Sequence, residues 1–204
     1  MANVSTITEM DLVGGAACLD FVNTALDLDV PVERLHTYQD LLMLVRRLSL
    51  LDEKTLADLE RLARAEPEQA ERVLSQARQV RSAMLATFNA MVKGELATLQ
   101  ASDLSTFNEL ISEALNQRRF LWQADQLAFS WQSRPIQLQQ AVWVFSWSAY
   151  ELLTTQDHKL LKQCGACAWL FLDTTKNHRR KWCDMQSCGS HQKARRYYQR
   201  KKQA

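Results

Sequence analysis

Apolar residues recur at helical spacing through the first half of the chain, with charged residues between them. The pattern predicts one helix from Tyr38 to Leu51 and a second over residues 55–65, with Asp52 as its N-cap. A third and longer helix is predicted to open at Pro67, where the missing N–H costs nothing, and to end near Gly94. We therefore expect this half of the chain to be helical.

The second half mixes helical and strand periods. Ser102 or Asp103 is predicted to cap a fourth helix, and Pro135 to open a fifth, central helix that is apolar nearly all round. Between them, R-R-F-L-W-Q-A and Q-L-A-F-S-W-Q alternate large apolar and polar residues around Asp125, which predicts a β-hairpin. A β-prone segment after the glycines at 14–15 is predicted to add a strand. The expected fold class is α+β, mostly α, with a helical N-terminal body and a small β-hairpin or sheet.

Four cysteines near the C-terminus fall into two close pairs, C-G-A-C and C-D-M-Q-S-C. Each pair can form a tight turn that aims two thiolates at one point, which is the arrangement of a tetrahedral zinc site. The pattern predicts one structural Zn²⁺ ion with four ligands: Cys164, Cys167, Cys183 and Cys188. Because all ligands are protein sulfur, the site has no open position for water and performs no hydrolysis. The alternatives are two disulfides, buried core thiols, or His178 or His191 in place of a cysteine.

Charge divides the chain into two unequal parts. Residues 1–158 carry 13 Lys/Arg and 21 Asp/Glu, a net −8, whereas residues 159–204 carry 12 and 2, a net +10. The composition changes at T-T-Q-D-H-K, just before the first cysteine pair. This shift predicts a domain boundary between an acidic body over residues 1–157 and a basic zinc finger over residues 158–204.

The overall composition, with 47% apolar and 24% charged residues, is typical of a globular protein. The first residues lack the basic and apolar regions of a secretory signal, and no run of 18 apolar residues occurs. We therefore expect a cytoplasmic protein with reduced cysteines and no membrane partner.

The predicted finger can be followed along the chain. In A-W-L-F-L-D, Trp169 and Phe171 share one side of a β-like stretch, and Leu170 and Leu172 the other. A polar turn, T-T-K-N-H-R-R-K, is predicted to lead back to the second cysteine pair, and good helix formers follow Gly189. A knuckle, a hairpin, a second knuckle and a helix describe a treble-clef-like finger.

The runs C-G-A-C-x-W-L-F-L-D-T-T-K-N and C-D-M-Q-S-C-G-S-H-Q-K-A-R-R-Y-Y resemble the CGNR zinc finger. That finger stands at the C-terminus of bacterial proteins described as stress-induced transcription regulators. The N-terminal G-G-A-A-C-L-D-F-V-N-T resembles the opening of the same family's ABATE domain. One departure is that Ser190 and His191 stand where the family's tetrapeptide has Asn and Arg. A largely neutral His in place of Arg weakens any phosphate binding at that position.

Basic residues cluster in the turn and in the C-terminal helix of the predicted finger. Lys193, Arg196 and Arg200 fall at i, i+3 and i+7, so one helical face can present three cations to phosphates or a major groove. The predicted DNA-binding residues are Lys176, Arg179, Arg180, Lys181, Lys193, Arg195, Arg196 and Arg200. The alternative is a solvated helix end that only improves solubility.

Asp20 and Asn23 lie just after the Gly-Gly pair, where polar side chains can line a pocket. They are the candidate residues for binding a small effector, and the alternative is that they cap helices and fix loops.

These features together predict a DNA-binding transcription regulator. The Walker, G-x-S-x-G, H-E-x-x-H and G-x-G-x-x-G motifs are absent, so we do not expect an enzyme. A homodimer would bring two small fingers to one site and add their binding energies. The alternatives are a protein-interaction module, in which the finger binds an acidic protein or this protein's own body, and an RNA binder.

Overall fold

Six α-helices form the body of the protein in the computed structural model, which describes residues 6–27, 30–123, 125–132, 135–190, 192–194 and 201. They are α1 Ala17–Asn23, α2 Tyr38–Arg47, α3 Glu53–Ala65, α4 Pro67–Lys93, α5 Ala101–Asn116 and α6 Gln140–Thr155. No helix in these ranges is long and apolar enough to cross a lipid bilayer.

Three antiparallel strand pairs accompany the helices within the described ranges. They are β1 Leu26–Asp27 with β2 Val30–Pro31, β3 Arg118–Gln123 with β4 Gln126–Trp131, and β5 Leu161–Gln163 with β6 Leu170–Leu172. The predicted class, α+β and mostly α, is confirmed, and so is the hairpin around Asp125.

Local signals place the ends of α3 and α4 where the sequence predicts them. The Asp52 carboxylate accepts a hydrogen bond from the Thr55 backbone N–H at 2.9 Å and so caps α3. Helix α4 has Pro67 in its first turn and ends at Gly94, whose φ of 71° lies in the left-handed region that favours glycine. Helix α2 begins at Tyr38 as predicted but ends at Arg47, before Leu51.

Three other predictions about elements are wrong. The segment after the Gly-Gly pair is α1, a helix, because burial of Cys18, Leu19, Phe21 and Val22 outweighs local β preference. Helix α5 begins at Ala101, so the two predicted caps lie in its first turn. Helix α6 begins at Gln140 and not at the predicted proline, because residues 135–139 form a connection in which the Leu138 carbonyl accepts a hydrogen bond from Tyr38.

The main core lies between α1, α4 and α6. Phe21 of α1 and Phe145 of α6 stack with ring centroids 4.3 Å apart and planes 9° apart. On the far side of α4, Phe88 meets Phe107 of α5 edge to face at 6.3 Å. The prediction that the last long helix is central is confirmed, since α6 buries residues on all its sides in its first two turns.

The β5–β6 hairpin joins this core from the C-terminal side. Leu161, Leu170 and Leu172 belong to the main cluster, whereas Phe171 belongs to a second cluster with the cysteines. The predicted alternation along this strand is confirmed. The predicted pairing is wrong: β6 pairs with β5, which precedes the first cysteines, while residues 174–182 return without forming a strand.

Asn23 fastens α1 to β6 through its side-chain amide. Its Nδ2 donates to the Leu170 carbonyl at 2.9 Å, and its Oδ1 accepts from the Leu170 N–H at 2.8 Å. The neighbouring contact is between main chains, since the Leu172 N–H donates to the Gly14 carbonyl at 2.9 Å. The backbone of β6 is thus paired with the N-terminal segment on one edge and with β5 on the other.

Asn23→Ala should destabilise the protein by about 2–4 kcal/mol, because it leaves the buried N–H and C=O of Leu170 without partners. Urea unfolding of the zinc-loaded protein measures the free energy. The matched control is Asn108→Ala on the exposed face of α5, which should change it by less than about 0.5 kcal/mol. Equal effects of the two substitutions would contradict the role assigned to Asn23.

Candidate metal centre

The four cysteines of the two pairs come together in the structure. The Sγ atoms of Cys164, Cys167, Cys183 and Cys188 all lie within 4.8 Å of one another. Cys164, Cys167 and Cys183 are buried, and Cys188 is partly exposed. The second hydrophobic cluster, with Trp169 and Phe171, surrounds them.

The first pair occupies the turn of the β5–β6 hairpin. The Cys164 N–H donates to the Trp169 carbonyl at 2.8 Å, and the Ala168 N–H donates to the Cys164 carbonyl at 3.1 Å. These bonds close a tight knuckle around residues 164–168. Ala168 completes it with a φ of 60°, in the left-handed region.

Cys183 precedes a π-helical turn, Met185–Gly189, and Cys188 lies within that turn. Asp184 caps this turn, since its carboxylate accepts from the Ser187 N–H at 2.6 Å. A backbone bond from the Gly165 N–H to the Lys181 carbonyl, 3.1 Å long, holds the returning chain against the first knuckle. This bond brings the second pair to the first.

Trp182 packs into the gap between the two knuckles. A Cβ at position 165 would lie 3.0 Å from the Trp182 ring, and one at position 189 would lie 3.3 Å from it. The two glycines of the cysteine motifs, Gly165 and Gly189, therefore admit the indole close to the metal centre.

The sulfur geometry fits a tetrahedral zinc ion. The Cys167 and Cys183 Sγ atoms are 3.5 Å apart and the Cys183 and Cys188 Sγ atoms 3.7 Å apart. Sulfurs 2.3 Å from one Zn²⁺ at tetrahedral angles would be about 3.8 Å apart. No cysteine in the described ranges forms a disulfide. The cluster fits one structural zinc ion, as predicted. The alternative ligand His178 does not join the cluster, since its Nδ1 lies 3.0 Å from the Asp173 carbonyl oxygen.

The charge of the cluster also calls for a cation. Hydrogen bonds from Cys167 and Cys183 lower the pKa of Cys164, and the bond that Cys183 gives to Cys164 raises the pKa of Cys183. Four ionised thiolates this close would repel one another strongly. A divalent metal removes that repulsion, and when bound it supplies structural stability.

A buried carboxylate organises the loop between the knuckles. Asp173 accepts hydrogen bonds from the Lys162 ammonium at 2.6 Å, the Arg180 backbone N–H at 2.8 Å and the Thr175 hydroxyl at 2.5 Å. Burial opposes ionisation of Asp173, but these bonds hold its pKa well below its usual range. The loop over residues 174–181 is thereby fixed to β5 and β6.

The predicted DNA-binding residues fall into three groups. Lys176, Arg179, Lys181 and Lys193 are exposed. Arg180 points inward, with its guanidinium donating to the Trp182 carbonyl at 2.8 Å and to the Cys183 carbonyl, 5.1 Å from the Phe171 ring centre. The remaining predictions, Arg195, Arg196 and Arg200, lie outside the described residues.

The two acidic residues of this segment are both engaged inside it. Asp173 holds the loop and Asp184 holds the π-helical turn. Lys162 and Asp184 belong to no motif that singles them out in the sequence. The sequence did hold one signal that these acids have a structural role, which is their scarcity. Residues 159–204 contain only two acidic residues beside 12 cations.

The candidate effector residues, Asp20 and Asn23, are buried. The Asp20 carboxylate accepts from the Gly14 N–H at 2.8 Å, and the Asn23 amide is bonded to Leu170. An effector would have to displace these protein contacts, so effector binding stays a prediction, while the arrangement matches the loop-fixing alternative. At the departure from the family tetrapeptide, Ser190 is exposed and His191 lies outside the described residues.

Removing zinc should destabilise the whole chain, because β6 belongs to the body core as well as to the metal centre. Cys183→Ser should bind less than one zinc per chain and lower the unfolding temperature by about 10 °C or more. Metal analysis and calorimetry measure the two quantities. Cys18→Ala is the control, since Cys18 is a buried thiol outside the cluster and its loss should leave one zinc bound. A body that melts unchanged without zinc would contradict this coupling.

Asp20 should make stability fall as pH rises between about 4 and 6. Burial raises the pKa of Asp20 from 3.8 to about 6, so in this window the folded state binds the proton more tightly than the unfolded state. The stability of the wild type relative to Asp20→Asn should therefore drop by up to about 3 kcal/mol from pH 4 to pH 7. Taking this difference at each pH cancels the titration of the cysteines.

Denaturant unfolding at each pH provides the measurement for Asp20. As a control, Glu68→Gln removes a carboxylate that is 91% exposed on α4, and its difference from the wild type should stay within about 0.5 kcal/mol. If the stability difference between the wild type and Asp20→Asn did not change with pH, the buried carboxyl would not titrate in this range.

Two family models match the chain. Residues 15–156 match ABATE, described as "Putative stress-induced transcription regulator", and residues 161–201 match the CGNR zinc finger. A search of curated proteins found no match. Neither family description is that of an enzyme. Because the ABATE model covers more than half of the chain, this protein belongs to the ABATE family and carries a CGNR zinc finger.

Proposed function

We propose that this protein is a transcription regulator that binds DNA through the exposed cations of its zinc finger. The observation that carries the proposal is the outward placement of positive charge on a finger whose four cysteines fit one zinc ion. Lys176, Arg179 and Lys181 are exposed on one short loop, and Lys193 is exposed beyond the last ligand. Among the described residues, none of these four cations takes part in an ion pair.

The loop is suited to phosphate because the acid at its base, Asp173, faces inward. Asp173 is buried beneath the loop and paired with Lys162, so it screens the exposed cations little. Each cation that neutralises a phosphate releases a condensed counterion, and this release supplies affinity that falls as salt rises. The arginines predicted from the sequence to lie on the C-terminal helix would extend this contact: Arg195, Arg196 and Arg200.

One side of the metal centre is unsuited to DNA. A groove of about 240 Å³ beside Cys167 and Cys188 is lined by the carboxylates of Glu9, Asp11, Asp27 and Asp184. These groups repel phosphate, so the contact has to be made by the 174–181 loop and not by the groove. Arg180 is left out of the proposed contacts, since it holds the loop to the second knuckle.

The alternative in which the finger clamps its own acidic body has less support. Each ion pair among the described residues lies either within residues 6–157 or within the finger. Finger and body are joined instead by the leucines of β5 and β6 and by Asn23. The exposed cations of the loop are therefore available to another molecule.

A homodimer forms part of the proposal. One small zinc finger buries too little surface for specific DNA recognition, and two copies would double the contacts at one site. In this proposal a stress signal acts on the body, since the model that matches the body describes a stress-induced regulator.

Lys176→Ala with Arg179→Ala should weaken binding to duplex DNA and reduce the slope of log affinity against log salt by about 2, one for each lost phosphate contact. Fluorescence anisotropy with genomic fragments at several salt concentrations measures both. The matched control is Lys54→Ala with Arg64→Ala, which removes the same two charges from the exposed face of α3. This variant should bind as the wild type does.

Three outcomes would count against DNA binding by this loop. They are no binding at low salt, an equal loss in the two double variants, and displacement by tRNA at concentrations far below those needed with duplex competitor. The last outcome would favour the RNA alternative. Zinc content of each variant confirms that the finger is intact.

A further inference from the structure

The β3–β4 hairpin carries the most exposed cluster of large apolar side chains in the part of the chain that the structure describes. In the antiparallel register, Phe120 faces Phe129 and Trp122 faces Leu127, so all four lie on one face. Phe120 is 70% exposed, Trp122 71% and Leu127 65%. We call these three residues the apolar tip.

The base of the same face is anchored to the body. Arg118 lies over the rings of Phe129, Trp131 and Trp147, with ring centres 4.2–4.8 Å from its guanidinium carbon. Phe129 meets Trp147 of α6 at 5.5 Å, and Trp131 packs against the main core. The hairpin is therefore a rigidly rooted arm, and its face becomes exposed only towards the turn.

The side chains of the apolar tip are largely uncovered by the rest of the described chain. A two-stranded hairpin is stable in water only when something covers its apolar face. Phe120 stacks on Phe129 at 4.8 Å, but within the described chain Trp122 and Leu127 remain largely in solvent. Taking roughly 200 Å² for each aromatic side chain and about 150 Å² for leucine, the tip exposes about 400 Å². A patch of this size is of the order of the largest one on a typical monomer, and such a patch is often functional.

We propose that the apolar tip is a dimerisation surface, on which a second copy of this chain packs its own tip. The face is self-complementary, because the strand register puts Phe120, Trp122 and Leu127 together on its outer part and puts no charged strand residue beside them there. Of the charged residues nearby, Arg119 points to the opposite face of the hairpin, and Asp125 lies in the turn at its end. A two-fold axis between the tips would let each tip cover the other.

The area that two tips would bury is also of the order of a specific protein–protein interface. Two tips together would cover about 800 Å² of apolar side chain, and the flanking backbone and polar rim would bring the total near the roughly 1,000 Å² of a specific interface. The choice of a second copy as occupant rests on the proposed function, since two fingers at one DNA site need two chains. Such an interface would be modest in size and sensitive to single substitutions.

Sedimentation equilibrium of the full-length, zinc-loaded protein without DNA tests this proposal. At about 100 µM, above the micromolar end of the affinity range for interfaces, we expect twice the chain mass of 23.5 kDa. Leu127→Gln should raise the dimer dissociation constant about tenfold or more, because it places a polar amide in the centre of the contact. The matched control is Leu96→Gln, which changes a leucine that is 57% exposed after α4 and should leave the constant unchanged.

A monomer at every concentration would overturn the proposal, as would a dimer that responds equally to the two substitutions or to neither. Failure of DNA binding can be told apart, because the mass is measured without DNA. If both proposals hold, Leu127→Gln should reduce DNA affinity at low protein concentration while leaving the salt slope per bound finger unchanged. Zinc content and circular dichroism establish that both variants are folded.

Discussion

Strand β6 is the constraint on which the rest of the structure depends. Leu170 and Leu172 lie in the core of the body, and Phe171 between them lies against the cysteines. A strand puts successive side chains on opposite faces, so three residues suffice to join two hydrophobic clusters. Strand β6 contacts α1, and its partner β5 contacts α4, so we expect metal binding to stabilise the packing of both helices. A finger attached in this way is part of the body core and not a domain on a flexible tether.

The attachment of β6 to the body also explains why polar side chains near the N-terminus are buried. Asp20 holds the Gly14 backbone, and Asn23 holds the Leu170 backbone. Both side chains satisfy main-chain groups that would otherwise be buried without partners, and such groups are costly. The motif that opens the ABATE region is thus connected, through hydrogen bonds, to the strand that carries the metal centre.

Charge in the finger is sorted by burial. Asp173 is buried and fixes the loop together with Lys162, Arg180 donates to the second knuckle, and the partly buried Asp184 caps the π-helical turn. The cations that remain on the loop face solvent. This sorting produces a positive surface over a neutralised interior, an arrangement that the formal charge of the segment does not reveal. It also separates cations that can contact a partner from those that hold the fold.

The sequence by itself determined the features that depend on local chemistry. Asp52, Pro67 and Gly94 set helix ends because capping and φ preferences act over a few residues, and cysteine spacing indicated the zinc site because four soft ligands must meet at one point. Only the tertiary structure decided that residues 17–23 form a helix, that β6 pairs with β5, and that Arg180 turns inward. The helix depends on partners distant in the chain, since the burial of its apolar side chains against them outweighs local preference. The pairing of β6 and the position of Arg180 depend on hydrogen bonds to backbone groups that the residue pattern does not specify.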